Sequence, residues 1–247
     1  MREAGLVVAE TIEVLLRSLE PGMKTRALDA IASREIKRLG AKPAFKGYRG
    51  FPATICVSIN HEIVHGIPGE RVIREGDIVS LDVGAVVDGY YSDSAVTAPA
   101  GKASPEALRL IKTTRQSLQL GIRQAVPGNR IGDIGAAVQQ HAESAGYGVV
   151  REYVGHGIGR ALHEEPAIPN FGEPGKGILL RPGMVIAIEP MLNQGTWHTQ
   201  ALDDGWTVVT ADGKLSAHFE HTVAITDEGP QVFTALNGQQ ASQESTN

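Results

Sequence analysis

A pattern that occurs twice constrains the fold of this chain more than any other feature of its sequence. Residues 74–82 (REGDIVSLD) and 181–189 (RPGMVIAIE) each begin with arginine, pass through a glycine and an apolar run, and end in a carboxylate. A His-Gly-Ile triplet precedes each copy, and a further acid in strand-like sequence, Asp93 or Glu220, follows it. The repetition predicts two related α+β halves that face each other.

Local sequence patterns predict helices and strands in both halves. Apolar residues recur at helical spacing over residues 6–19, 28–39, 105–126 and 131–145, and glycine or proline follows each segment. Ser104 precedes a proline and an acid, as expected at a helix start. Residues rich in β-forming side chains predict strands at 54–59, 78–87, 90–97, 184–188, 206–210 and 217–225.

These segments predict a single domain over residues 1–238, with halves of about 1–128 and 129–238. Residues 239–247 are polar, and we predict a disordered tail there.

Two acids of the first half are expected to share one face of a sheet. Asp88-Gly89 is a strong signal for a two-residue hairpin turn between the strands at 78–87 and 90–97. In that register Asp82 lies opposite Ala95, and Asp93 becomes its diagonal neighbour on the same face. Buried like charges this close repel each other unless a proton or a cation lies between them. A divalent metal ion would relieve the repulsion.

The second half carries two more acids in apolar, strand-like sequence, Glu189 and Glu220. Four such acids suit two cations. His156, between two glycines, would complete an oxygen-rich set with one imidazole, which suits manganese, iron, cobalt or zinc better than calcium. Five histidines are predicted to have ordinary structural or surface roles: His61, His141, His198, His218 and His221.

Charge and composition exclude other classes of function. The net charge is −5, and the 23 basic residues are scattered, which argues against a nucleic-acid substrate. The N-terminus lacks the basic start and apolar run of a signal peptide, and no segment approaches membrane-spanning length. Cys56 is the only cysteine, which is typical of a reducing compartment, so we expect a cytoplasmic protein without a membrane partner.

Six motifs together resemble the type I methionine aminopeptidases of the M24 metallopeptidases. They occur in order over nearly the whole chain: His65-Gly66-Ile67-Pro68, Leu81-Asp82-Val83-Gly84, Gly155-His156-Gly157-Ile158-Gly159, His163-Glu164-Glu165-Pro166, Ile188-Glu189-Pro190-Met191 and Phe219-Glu220-His221-Thr222. The resemblance implies the pita-bread fold, in which two pseudo-symmetric halves form a curved antiparallel sheet covered by helices. It also implies a single catalytic domain that removes the initiator methionine from nascent polypeptides and favours a small second residue.

The resemblance also implies roles for individual residues. The metal ligands would be Asp82, Asp93, His156, Glu189 and Glu220, with Asp93 and Glu220 as the bridging pair. His65 and His163 would contact the substrate amide, and Glu189 would act as acid or base at the attacking water. The implied reaction is attack of a hydroxide that bridges two metal ions on the first peptide carbonyl. A methionine pocket would be formed by Tyr48, Phe51, Cys56 and Trp206.

Other features of the resemblance concern the pocket entrance, ions and partners. Arg49 and Phe51 replace an expected His and Tyr at the entrance, and Ser92 and Ser94 flank Asp93 where many relatives have Gly and Thr. Asn60 and Ser216 match positions near a monovalent-cation site. The expected partner is a peptide with a free N-terminal methionine, with transient ribosome association, and the expected state is a monomer.

Two alternative functions remain open from the sequence. An X-Pro dipeptidase or aminopeptidase P would use much the same ligand set, although those enzymes usually carry an additional N-terminal domain. A non-catalytic peptide-binding module on the same scaffold should have lost ligands, whereas all five positions here hold metal-binding residue types.

Overall fold

The structure, a computed structural model, describes residues 1–236. Helices predicted from apolar spacing are confirmed, with ends that shift by a few residues. They are α1 (Arg2–Ser18), α2 (Thr25–Arg38), α3 (Pro105–Gln124) and α4 (Ile131–Ser144), with a short 3₁₀ turn at Tyr48–Gly50. Ser104 caps α3 as predicted, because its hydroxyl accepts a hydrogen bond from the amide of Ala107 at 3.2 Å.

The strands are short except in one hairpin. In the first half they are β1 (Lys42–Pro43), β2 (Ile55–Ile59), β3 (Glu62–Val64), β4 (Ile78–Val87) and β5 (Tyr90–Pro99). In the second half they are β6 (Gly148–Val149), β7 (Gly155–Gly157), β8 (Glu164–Ile168), β9 (Val185–Ile188), β10 (Met191–Asn193), β11 (Thr199–Ala201), β12 (Val208–Thr210), β13 (Ser216–His218), β14 (His221–Thr226) and β15 (Gly229–Val232).

All strand pairs in the described part of the chain are antiparallel. In the first half β4 pairs with β1 and β2 along one edge and with β5 along the other. In the second half five strands follow the order β15-β14-β9-β7-β8. Two three-stranded sheets, β13-β10-β6 and β11-β12-β3, complete the framework, and the second joins the two halves because β3 pairs with β12.

The hairpin between β4 and β5 has the predicted register. Asp88 and Gly89 both have positive φ, 49° and 76°, as a tight two-residue turn requires. Asp82 therefore lies opposite Ala95, and Asp93 lies opposite Gly84, which makes the two acids diagonal neighbours.

The strand predicted at 217–225 was wrong in one respect. The chain forms β13 and β14 in two different sheets, and Phe219 and Glu220 lie between them. The amide of Glu220 donates to the carbonyl of Ala95 at 2.9 Å. Glu220 is therefore hydrogen-bonded to β5 of the first half and not to a strand of the second half. A matching break separates β9 from β10 at Glu189-Pro190, where proline has no amide hydrogen for a sheet.

Helix pairs cover the outer faces of the sheets. Leu15 of α1 and Leu28 of α2 are fully buried against Val57 and Leu81 of the first-half sheet. Leu110 of α3 and Ile134 of α4 are buried in a second cluster with residues of β9 and β14. The four acids belong to neither cluster and line a cleft instead.

Two predictions lie at the limit of the described residues. The predicted tail, 239–247, lies outside them, as does the predicted domain end at 238, and the division into pseudo-repeat halves stays a prediction. Within residues 1–236, none of the helices has the length and apolar character that a membrane crossing requires.

Candidate metal centre and cleft

A cleft opens between the two halves. Every site residue predicted from the sequence, except those for the monovalent cation, lines it. The lining residues are Phe45, Tyr48, Arg49, Phe51, Cys56, His65, Asp82, Asp93, His156, Leu162, His163, Glu189, Trp206 and Glu220.

The hairpin brings Asp82 and Asp93 into this cleft. Asp93 is almost fully buried, and β14 fixes its backbone through Thr222. The Thr222 hydroxyl donates to the carbonyl oxygen of Asp93 at 2.8 Å and accepts from its amide at 3.1 Å. Asp82 has one carboxylate oxygen, Oδ1, that is buried and has no hydrogen-bond partner among the described residues.

The two breaks in the second half bring Glu189 and Glu220 to the same place. Asn170 donates to the carbonyl of Glu189 at 3.0 Å, and Glu220 is held by its amide bond to β5. Because neither residue continues a ladder at this point, both side chains are free to point inward between the sheets.

His156 projects from β7 between the two carboxylate pairs. Its neighbours Gly155 and Gly157 are required, because a Cβ on either would overlap a backbone carbonyl of β9 or of residue 165. The ring Nδ1 lies 2.9 Å from the carbonyl oxygen of Gly157, which can only accept, so Nδ1 carries the proton. The lone pair of Nε2 then faces the acids, 3.5 Å from Asp93 Oδ2 and 3.7 Å from Glu189 Oε1.

Burial and mutual repulsion dominate the electrostatics of the acids. Burial raises the pKa of Asp93 to about 7. Burial also raises the pKa of Asp82, Glu189 and Glu220 well above the usual range, and the charges of the neighbouring acids raise it further. Four carboxylates in one buried place are therefore destabilising unless protons or cations compensate them.

These residues fit a divalent metal centre. One possible ligand atom from each of Asp93, His156 and Glu220 lies within 4.8 Å of the others, and all three residues are buried. Glu189 borders the same group through His156, and the unpaired Oδ1 of Asp82 offers a further oxygen. An oxygen-rich set with one imidazole and no thiolate matches the ligand preference of catalytic divalent transition metals.

The two predicted catalytic histidines lie on the walls of the cleft. His163 packs on His156, with ring centroids 4.2 Å apart, and its Nδ1 lies 2.9 Å from the hydroxyl of Tyr48. His65 follows β3 and contacts the rings of Trp206 and Tyr153 edge-on. Burial, with a smaller contribution from the neighbouring His163, lowers the pKa of His65 to about 4, so the imidazole is neutral at pH 7.

The predicted methionine pocket is one apolar cluster. Phe51 meets Trp206 edge-on with centroids 5.1 Å apart, and Cys56 and Tyr48 belong to the same cluster. Cys56 lies directly opposite Asp82 in the sheet, which places the thiol beside the acids. A polarisable sulfur and aromatic rings suit a thioether side chain.

Sequence reasoning missed several residues of the cleft. Phe45, Leu162 and Arg49 also line it, and only Arg49 had drawn attention, as a departure from related sequences. Phe45 reaches the site because Gly84, opposite Asp93, has no side chain to block its ring. No local sequence signal marks such packing.

His218, which was predicted to have an ordinary role, lies beside the acids. It is almost fully buried, its Nε2 is 3.7 Å from Glu189 Oε2, and this nitrogen has no hydrogen-bond partner among the described residues. The sequence did contain a signal for His218. It lies two residues before Glu220 in a segment predicted as a strand, and residues two apart on a strand lie on the same face. A small shift of either side chain would let Nε2–H donate to the carboxylate.

The remaining predicted positions have simpler surroundings. Nδ1 of His221 lies 2.8 Å from the Thr234 hydroxyl, and His198 packs on Trp197. Asn60 and Ser216 are joined because the Ser216 amide donates to the Asn60 carbonyl at 2.8 Å. A monovalent-cation site there stays a prediction.

Comparison with known proteins gives the class. The family model described as metallopeptidase family M24 matches residues 1–227. Methionine aminopeptidase 1 of Bacillus subtilis is 53% identical over 236 residues, which cover 96% of this chain and 95% of the relative. The chain therefore belongs to metallopeptidase family M24.

Solved structures agree with this assignment. A methionine aminopeptidase from Thermotoga maritima has a TM-score of 0.94 and 46% identity, with 96% of this chain and 95% of that chain covered. The prolidase of Pyrococcus furiosus has a TM-score of 0.76 at 23% identity, and the match covers 96% of this chain and 63% of that one, which shows a shared fold alone. The predicted pita-bread fold is confirmed, and the enzyme class is that of the methionine aminopeptidases, which are metalloexopeptidases acting on peptides with N-terminal methionine.

Proposed function

We propose that this enzyme removes the initiator methionine from new polypeptides in the cytosol, with two divalent ions held in the cleft. The observation that carries the proposal is the convergence of five donor residues from both halves beside a sulfur- and aromatic-lined pocket. The residues that would hold the ions are Asp82, Asp93, His156, Glu189 and Glu220. Bound between these residues, the ions would supply a nucleophilic hydroxide at neutral pH and polarise the substrate carbonyl.

His163 would stabilise negative charge that develops on the carbonyl oxygen. Partial burial lowers the pKa of its ring, and His156 and Arg49 lower it further, so the ring is neutral at pH 7. If the Tyr48 hydroxyl donates to Nδ1 across their 2.9 Å separation, the proton lies on Nε2 and can be donated to the substrate. A preorganised donor of this kind stabilises a developing oxyanion.

Glu189 and His65 would act on the two sides of the peptide bond. Glu189 lies at the cluster and would take a proton from the attacking water and pass it to the leaving amine. His65, neutral and fixed between Trp206 and Tyr153, would hold the amide of the substrate against the pocket.

The pocket and the cleft wall would set specificity. Phe51, Cys56 and Trp206 form a compact apolar surface for the methionine side chain. The packing of His163 on His156 would limit the space beside the reacting bond, which would favour a small second residue. Substrates of this kind arise as chains leave the ribosome, so we also propose that the enzyme associates transiently with ribosomes.

Methionine release from Met-Gly-Met-Met tests the function. Purified enzyme is treated with a chelator, and manganese, cobalt, iron or zinc is then restored separately. Release of the first methionine alone should stop with the chelator and return with metal, and an N-acetylated peptide should remain intact. Cleavage of Xaa-Pro peptides instead would favour an X-Pro peptidase, and metal-loaded protein with no cleavage of either would favour a binding module.

A further inference from the structure

One cationic side chain lies at the cleft without a carboxylate partner. Arg49 lines the cleft, and among the described lining residues it is the only arginine or lysine. No carboxylate of residues 1–236 forms an ion pair with its exposed guanidinium. By contrast, Arg38, Arg71 and Arg109 each pair with a neighbouring glutamate.

The backbone holds this arginine in an unfavourable conformation. Arg49 has a φ of 47° and a ψ of 25°, in the left-handed region that costs residues other than glycine about 1 kcal/mol or more. Gly47 and Gly50 on either side also have positive φ, at 85° and 91°. This tight turn therefore presents a cation to the cleft at a position where glycine would relieve the strain, and such outliers cluster at ligand sites.

Ring contacts connect Arg49 to the metal centre. His156 packs on His163, His163 stacks on Tyr48 at 5.2 Å, and the guanidinium carbon of Arg49 lies 5.4 Å from the Tyr48 ring centroid. An extended peptide advances about 3.3 Å per residue, so a substrate that left the centre along this wall would pass Arg49 with its third and fourth residues.

Charge balance at the cleft also favours a negative partner for this arginine. Two divalent ions would compensate the four carboxylates deep in the cleft, and the positive charge of Arg49 at the mouth would stay unbalanced. Carboxylates and planar guanidinium groups form paired hydrogen bonds.

We propose that Arg49 binds carboxylates on the third and fourth residues of the peptide substrate, so that acidic sequences after the second residue are preferred over basic ones. This inference rests on the proposed function. Because the rings of Tyr48 and His163 separate Arg49 from His156, the preference should appear in KM more than in kcat.

Three C-terminally amidated peptides test this subsite: Met-Ala-Glu-Glu, Met-Ala-Gln-Gln and Met-Ala-Lys-Lys. Amidation removes the C-terminal carboxylate. The glutamine peptide with a free C-terminus measures how much that carboxylate alone changes kcat/KM. The wild-type enzyme should prefer the glutamate over the lysine peptide by roughly three- to tenfold in kcat/KM, as expected for exposed ion pairs. The preference should shrink in 0.5 M salt, where charges are screened.

Variants separate Arg49 from general surface charge. Arg49→Gln should bring the ratio close to one, and Arg49→Lys should keep part of it. Arg160→Gln is the matched control, because Arg160 is exposed but stacks on Tyr90 at 4.1 Å and is not among the lining residues. It should leave the ratio unchanged.

The outcomes separate the two proposals. Equal kcat/KM for all three peptides, or an Arg49→Gln enzyme that keeps the wild-type ratio, would overturn the role of Arg49 and leave methionine release standing. Failure of the metal-loaded enzyme to release methionine from the neutral glutamine peptide would overturn the proposed function and the subsite with it.

Discussion

The two halves hold their carboxylates in different ways. Asp82 and Asp93 lie within two continuous ten-residue strands, where the hairpin register alone makes them neighbours. Glu189 and Glu220 lie where the chain leaves one sheet and enters another. Continuous strand pairing positions Asp82 and Asp93, whereas Glu189 and Glu220 reach the cleft because the strand pairing is interrupted there.

This difference teaches how one centre can be built from two regions of different strand architecture. The acids of both halves line the same cleft, but the second half has shorter strands, and its acids lie between strands and depend on contacts from the first half. The amide of Glu220 bonds to Ala95, and Thr222 bonds to Asp93. Neither pair is therefore positioned independently of the other.

The largest expected effect comes from removing, from each region, the acid that we propose bridges the two ions. Asp93→Ala and Glu220→Ala should behave alike, each emptying at least one metal site and reducing methionine release to background, because a shared ligand serves both ions. Metal analysis and activity of the purified variants measure this, with Glu228→Ala, an exposed acid, as the control. Unchanged metal stoichiometry in either variant would contradict its bridging role.

Replacing His163 should lower turnover without affecting either carboxylate pair. His163→Ala should keep nearly full metal content and lose about 10²- to 10⁴-fold in kcat/KM, the range for an oxyanion or acid–base partner. Metal analysis beside steady-state kinetics checks both parts. An enzyme with wild-type turnover would remove this histidine from the mechanism.

Replacing His218 should have a smaller effect, on metal affinity, that acts through Glu189 of the second region. His218→Leu removes the buried ring that faces Glu189, and we expect metal affinity to fall about 10- to 100-fold, as for other groups that orient ligands. His218→Gln, which keeps a donor, should recover part of the affinity. Metal titration by calorimetry measures the change, and equal affinity in His218→Leu and wild type would show that the ring does not position Glu189.

The smallest effect tests the hydrogen bonds that connect the two regions. Thr222→Val removes the hydroxyl that bonds to the Asp93 backbone, and the free energy of unfolding should fall by about 1–3 kcal/mol because buried polar groups lose a partner. Thr222→Ser keeps the hydroxyl and should lose much less. Urea unfolding of the metal-free proteins gives both values. A Thr222→Val protein as stable as wild type would show that these hydrogen bonds do not stabilise the fold.

The same difference explains what the sequence could predict. The hairpin at Asp88-Gly89 fixes its register locally, so the placement of Asp82 beside Asp93 followed from a few residues. The break at Glu220 did not, because residues 217–225 have uniformly strand-like side chains and the change of sheet depends on pairing with distant Met191 and Ala95.

Residues on the cleft walls show the same limit. His163 was found from a motif, whereas Phe45 and His218 reach the site only through tertiary packing. The backbone strain at Arg49 likewise belongs to a turn whose geometry its neighbouring glycines allow but do not specify.

The central claim is that carboxylates from both regions hold two divalent ions in one centre. Crystals of the manganese-loaded enzyme, measured at the manganese absorption edge, test it most directly. We expect two anomalous peaks in the cleft, both within bonding distance of Asp93 and Glu220, with Asp82, His156 and Glu189 completing the coordination. A single peak bound by one half alone, or peaks away from these residues, would contradict it.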